Sequence, residues 1–198
     1  MTQRLVVHAL TTLALLVTPV LAGCGESGSE GGSAPSYTSE RVAPLPSELS
    51  DASSDTTPSP DDALVEIEMD SGGTAAVWID PQDIRRVYVQ ASDPADPDAW
   101  TEPVLAHEAG DGCLTLDVDT AGETLAIGAG CYADDAFIQQ APESSVALVS
   151  TDLVSWESDE VGESIPVPEV VDDGDRVLFR NQVYDDRLDT EWERGEGF

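Results

Sequence analysis

From Leu64 onward apolar and polar residues alternate in short runs, and no stretch carries a helical stripe with caps. The runs are Leu64-Val65-Glu66-Ile67-Glu68-Met69, Thr74 to Ile79, Val87-Tyr88-Val89, Leu114-Thr115-Leu116-Asp117-Val118, Thr124 to Ile127, Val146-Ala147-Leu148-Val149 and Val177-Leu178-Phe179. Gly, Pro and Asp bound them, which is the signature of antiparallel strands joined by turns. Residues 61–198 are therefore expected to form an all-β domain.

The runs repeat. Leu64 to Gly73 lines up, 49 residues later, with Cys113 to Gly122, and Thr74, Ala76 and Val77 then meet Thr124, Ala126 and Ile127. Val87, Val89, Ala91, Ser92 and Asp93 match Val146, Leu148, Ser150, Thr151 and Asp152 at an offset of 59, and Trp100 answers Trp156 at 56. A third, decayed copy starts near Val170-Val171-Asp172, with Gly174, Val177 and Phe179 in the places of Gly122, Leu125 and Ile127, and Trp192 closing it. Units of this length, each a small meander, read as propeller blades. Closed propellers need roughly four to eight blades. Two to three units must either be completed by other copies of the chain in a homo-oligomeric ring or stack as an open β-sandwich.

Charge narrows the partners. The chain has 40 Asp and Glu against 8 basic residues, all Arg, for a net charge of -32. Such a polyanion cannot neutralise phosphates, so no nucleic acid is expected as a partner. With no Lys, Schiff-base and P-loop chemistry are excluded. After Pro60, 34 acidic residues face 6 Arg, leaving -28. A field of that sign steers cationic partners toward the domain.

The N-terminus reads as an address. Arg4 precedes an apolar run from Leu5 to Leu21, and no acidic residue occurs before Glu26, so residues 1–23 have the pattern of a secretory signal. Leu21-Ala22-Gly23-Cys24 resembles the lipobox of bacterial lipoproteins. The resemblance implies cleavage before Cys24, lipid on its sulfur, and residence on the outer face of the cytoplasmic membrane. Residues 24–60 follow, of which 22 are Ser, Gly, Pro or Thr, and they read as a disordered tether. A flexible chain of that length spans about 35 Å.

Ser150-Thr151-Asp152-Leu153-Val154-Ser155-Trp156 resembles the Asp-box of sialidases and the equivalent turn of five-bladed glycosidases. Ser92-Asp93 through Trp100 is a looser copy with a Pro-rich insertion. The resemblance implies a hairpin turn in which Ser150, Asp152, Ser92 and Asp93 are structural, Asp capping backbone amides and Trp156 and Trp100 packing on the blade. It does not imply catalysis. Trp78-Ile79-Asp80-Pro81, leading into Arg86-Val87-Tyr88-Val89, is similar to the Asp-Pro segment that supplies the general base in family 43-type glycosidases. Asp80 is thus a weak catalytic candidate, although no Glu matches the acid position and a turn accounts for Asp80-Pro81 as well. Sialidases also need an Arg cluster; Arg85, Arg86, Arg176 and Arg180 are the available residues.

Cys113 and Cys131 stand nine residues either side of Gly122, so a hairpin turning there sets them face to face. In an oxidising compartment a disulfide is expected. His107, the only His after the signal, lacks partners for zinc, and no nucleophile elbow exists for a triad. Acidic loops at Asp93-Asp96-Asp98, Asp134-Asp135, Asp172-Asp173-Asp175 and Asp185-Asp186-Asp189 suit either Ca²⁺ or a solvated surface. Asp117-x-Asp119 fails the EF-hand pattern because Gly128 stands where the closing Glu belongs. No cofactor or metal is therefore expected. The function these features point to is an anchored, non-catalytic binding domain for a glycan or a cationic protein. The alternatives are a glycosidase or sialidase-like hydrolase completed by oligomerisation, and a structural envelope component.

Overall fold

Period-2 patterning produces strands throughout. A computed structural model describes residues 35–44, 63–133, 142–182 and 187–198, apart from the side chains of Arg187 and Asp189. The expected signal segment, Cys24, Asp134-Asp135 and Asp185-Asp186 lie outside the described residues. Thirteen strands are described: β1 Tyr37–Ser39, β2 Leu64–Glu68, β3 Thr74–Ile79, β4 Arg86–Ala91, β5 Trp100–Thr101, β6 Val104–Glu108, β7 Gly112–Ala121, β8 Thr124–Tyr132, β9 Ser145–Ser150, β10 Glu157–Gly162, β11 Pro166–Val171, β12 Arg176–Asn181 and β13 Arg187–Glu193. A single 3-10 turn at Asp172–Gly174 joins β11 to β12.

The strands form antiparallel meanders. A first sheet has the order β2-β3-β4-β6, a middle sheet β7-β8-β9-β10 and a last sheet β11-β12-β13, while β1 pairs with β5 alone. None closes on itself. The 49-residue repeat falls on equivalent hairpins, β2 to β3 and β7 to β8. The third copy supplies β11 to β12.

Two apolar layers hold the three larger sheets together. Val77, Ile79, Val87 and Val89 of the first sheet meet Leu125, Ile127, Val146 and Leu148 of the middle sheet. The other face of the middle sheet sets Ala126, Ala147 and Val149 against Val177, Phe179 and Trp192. Residues such as Leu125, Ile127 and Leu148 are fully buried, and each contributes roughly 1.5–3 kcal/mol. Close approach of the last sheet depends on small residues. A Cβ at Gly128 would sit 1.6 Å from the Pro166 carbonyl oxygen, so only glycine fits there.

Two aspartates at matching repeat positions tie each sheet to the next. Asp70 Oδ2 accepts the Gly122 amide at 2.7 Å, and Asp119 Oδ2 accepts the Val170 amide at 2.7 Å. Cys113 and Cys131 face each other across β7 and β8 and are disulfide-bonded, with Cα atoms 3.8 Å apart. Closing this loop stabilises the fold by about 3 kcal/mol.

The stretch read as a tether is in part folded. Residues 35–44 belong with the domain, because β1 pairs with β5 and Ala43 is buried against Ala76, Trp78 and Trp100. Tyr37, Arg41, Val42 and Ala43 form a short island within the Ser, Gly, Pro and Thr background, and that island supplies the contacts which a polar linker lacks.

Candidate functional site

The turn between β9 and β10 contains Ser150 to Trp156. Asp152 Oδ1 accepts the amides of Val154 at 2.9 Å and Ser155 at 2.7 Å, and the Ser150 hydroxyl at 3.2 Å. Ser150 Oγ in turn accepts the Leu153 amide at 2.9 Å. Burial alone would raise the Asp152 pKa, but the Ser155 and Val154 amides and the Ser155 and Ser150 hydroxyls together hold it below the usual carboxylate value. Leu153 adopts a φ of 61°, which costs a non-glycine residue about 1–2 kcal/mol. Its side chain offsets that cost by entering the layer between the first and middle sheets, where Trp156 also packs. Asp152 Oδ1 therefore serves its own turn, and the geometry is that of a cap.

The looser copy is built differently. Ser92 bridges to Trp100 and its Oγ accepts the Thr74 amide at 2.8 Å. Asp93 Oδ1 accepts the Ala95 amide at 2.8 Å, and Asp96 Oδ1 the Asp98 amide at 3.2 Å, so the Pro-rich insertion is two successive Asx turns. Trp100 does not take the place of Trp156. It lies on the outer face of the first sheet with Trp78 and Ala76, away from the middle sheet.

That outer face is the most elaborate polar and aromatic arrangement among the described residues. Trp78 and Tyr88 stack with centroids 5.7 Å apart. Gln90, 1% exposed, projects from β4 and makes four hydrogen bonds. Its Oε1 accepts the Val42 amide at 2.8 Å and the Ala43 amide at 3.3 Å, and its Nε2 donates to the carbonyls of Glu40 at 2.8 Å and Thr101 at 2.9 Å. Arg41 lies over the Trp100 ring at 5.8 Å, donates to the Ala43 carbonyl at 2.9 Å and pairs with Glu66. Ser39 donates to Glu102 at the rim. Burial, reinforced by the negative charge of Asp93, raises the pKa of nearby Tyr37. Sequence reasoning did not find this face. Its one signal was the lone arginine, with Tyr, Val and Ala around it, inside a stretch of small polar residues.

The remaining candidates fall elsewhere. Asp80 sits in the turn from β3 to β4, where its Oδ1 accepts the Gln82 amide at 2.9 Å. Arg85 and Arg86 pair with Asp83, and Arg86 also with Glu108, at that same end of the first sheet. Arg176 and Arg180 lie on the last sheet, paired with Asp172, Glu191 and Glu169. The four arginines are thus split between two sheets rather than gathered in one cluster. His107 on β6 is half-buried; that burial lowers its pKa below 6.5, with Glu160 partly opposing. Among the described residues, no group of three or more His, Cys, Asp or Glu side chains is placed to hold a metal ion. Comparison with protein-family models, curated proteins and solved structures found no match to this chain.

Proposed function

We propose that this chain is a lipid-anchored surface protein whose domain is an open, propeller-like stack of three blades that binds a basic protein and catalyses no reaction. The observation that supports this most is the state of the arginines. All six described arginine side chains are ion-paired with the chain's own carboxylates. Most of the 40 acidic residues therefore lack a basic partner of their own, and a cationic surface is the natural complement.

The blade reading draws on the meander order and on β7 lying against both β2 and β11, which brings first strands together along one edge. Openness is favoured by how the stack ends. Residues 35–44 cover the outer face of the first sheet, and ion pairs of Arg176 and Arg180 line that of the last. Terminal units of repeat stacks are finished in this way, with a polar outer face.

The test is capture of the Cys24→Ala chain by an immobilised basic protein at low and high salt. Screening should weaken capture about tenfold between roughly 0.03 and 0.3 M salt. Salt-insensitive capture would refute the electrostatic reading. Arylglycoside hydrolysis that disappears in Asp80→Ala would replace it with the glycosidase reading. Replacement of Cys24 should also release the protein from the membrane, and retention in lipidated form would refute the anchor.

A further inference from the structure

We propose that the outer face of the first sheet is a docking site for an extended, arginine-bearing peptide segment, and that the chain's own residues Ser39–Ala43 occupy it as a built-in ligand. The inference rests on the binding-module reading above and names its site and its ligand class.

Three features define what the face accepts. Gln90 reads main chain rather than side chain: its amide accepts two consecutive N–H groups and donates to a carbonyl of the docked segment, as a neighbouring strand would. Any extended peptide offers those groups. Arginine is selected by the second feature, since the guanidinium of Arg41 stacks on Trp100 while pairing with Glu66. A planar fork fits between a ring and a carboxylate, and a lysine ammonium fits less well. Third, the rim is anionic, with Glu66 and Glu102 both engaged by the docked segment.

The built-in segment is held lightly. Of residues 35–44 only Ala43 is buried, and β1 pairs only with the two-residue β5. A terminal segment of this kind opens locally while the rest of the fold persists. Once it leaves, Gln90 loses three of its four partners. The vacated amide then accepts the main chain of any extended peptide that restores those bonds. The segment in cis competes intramolecularly, without the entropy cost of a second molecule. It therefore acts as a competitor, and only an abundant or multivalent arginine-rich partner displaces it.

The probe is the nonapeptide Ser36–Pro44, with and without its arginine, added to the Cys24→Ala chain. Introducing Ala43→Asp places a charge in the apolar niche and should expel the segment in cis. The expelled variant should capture the nonapeptide at least about tenfold more tightly than the parent chain does. Capture should be lost on adding Gln90→Ala, and should weaken about tenfold when the peptide's arginine is replaced by alanine. No capture by a variant that retains its near-UV circular dichroism overturns the proposal, as does capture indifferent to Gln90 or to the arginine. Should Ala43→Asp fail to fold, hydrogen exchange on the parent chain decides. Excess nonapeptide should accelerate exchange at the Val42 and Ala43 amides, and unchanged exchange overturns the site. Basic-protein capture that survives Gln90→Ala keeps the binding-module reading and overturns this site. Nonapeptide capture without capture of any basic protein keeps the site and sinks that reading.

Discussion

Two turns of this chain carry Ser, Asp and Trp in the same order and do different work. The turn from Ser150 to Trp156 is short, its Asp152 caps two amides, and Trp156 joins the layer between sheets. The turn from Ser92 to Trp100 is longer and Pro-rich, its Asp93 caps one amide, and Trp100 lies on the outer face of the first sheet, beneath Arg41. The two turns differ in length by two residues, counted from Ser to Trp. A tight turn returns its closing Trp to the core side, whereas extra residues let the chain cross the sheet edge and present the ring outward. One turn thus stabilises the stack, and the other builds an outer face.

The largest expected effects come from the two rings. Trp100→Ala should cost about 3 kcal/mol, the low end for a buried Trp because part of its cover is a lightly held segment. It should also collapse hydrogen-exchange protection at Val42 and Ala43. Trp156→Ala should cost about 2 kcal/mol, since that ring is only partly buried, and should leave those two amides protected. Urea denaturation and site-resolved exchange together check both. If Trp156→Ala strips the Val42 and Ala43 amides as fully as Trp100→Ala does, the two turns are not separate in function.

The sequence announced every interior strand of the three larger sheets but, of their edges, only β2 and β7. The expected runs at Thr74 to Ile79, Val87 to Val89, Thr124 to Ile127, Val146 to Val149 and Val177 to Phe179 fall on β3, β4, β8, β9 and β12, which are flanked by strands on both sides. The sheet strands that went unread are β6, β10, β11 and β13, and every one is an edge. Edge strands carry charge and proline to block pairing with other chains. Glu157, Asp159 and Glu160 do so in β10, and Pro166 and Pro168 in β11. Those substitutions erase the alternation that identifies a strand. Of the candidate site, the Asp152 cap was legible because its hydrogen bonds are local. The face around Gln90 was not, because it joins residues 40–43 to residues 90–101, and nothing in a sequence marks a contact about 50 positions apart.

The caps give the next contrast. Asp152→Ala removes the acceptor for two amides and a hydroxyl and should cost about 1–2 kcal/mol. Asp93→Ala removes the acceptor for one exposed amide and should cost about 0.5 kcal/mol. Equal losses, measured by urea midpoint with unchanged slope, would mean that the insertion has preserved the cap and displaced only the ring.

The smallest effect is the pH dependence of the Asp152 cap. Burial opposes ionisation of this carboxyl, yet its amide and hydroxyl donors lower its folded pKa beneath the ordinary 3.8. Its unfolded form therefore takes up a proton at higher pH than its folded form. The resulting stabilisation is fully present above the unfolded value and is lost as pH falls through the lowered folded value. Asp152→Asn keeps an oxygen acceptor for the Val154 and Ser155 amides but cannot titrate. The gap in unfolding free energy between the parent chain and Asp152→Asn should therefore be widest near pH 6 and should narrow toward about pH 2.5. Many other carboxylates titrate over this range in both proteins, and taking the difference cancels them. A gap independent of pH would mean that the charge of Asp152 contributes nothing beyond its oxygen. The turn would then be held by acceptor geometry alone.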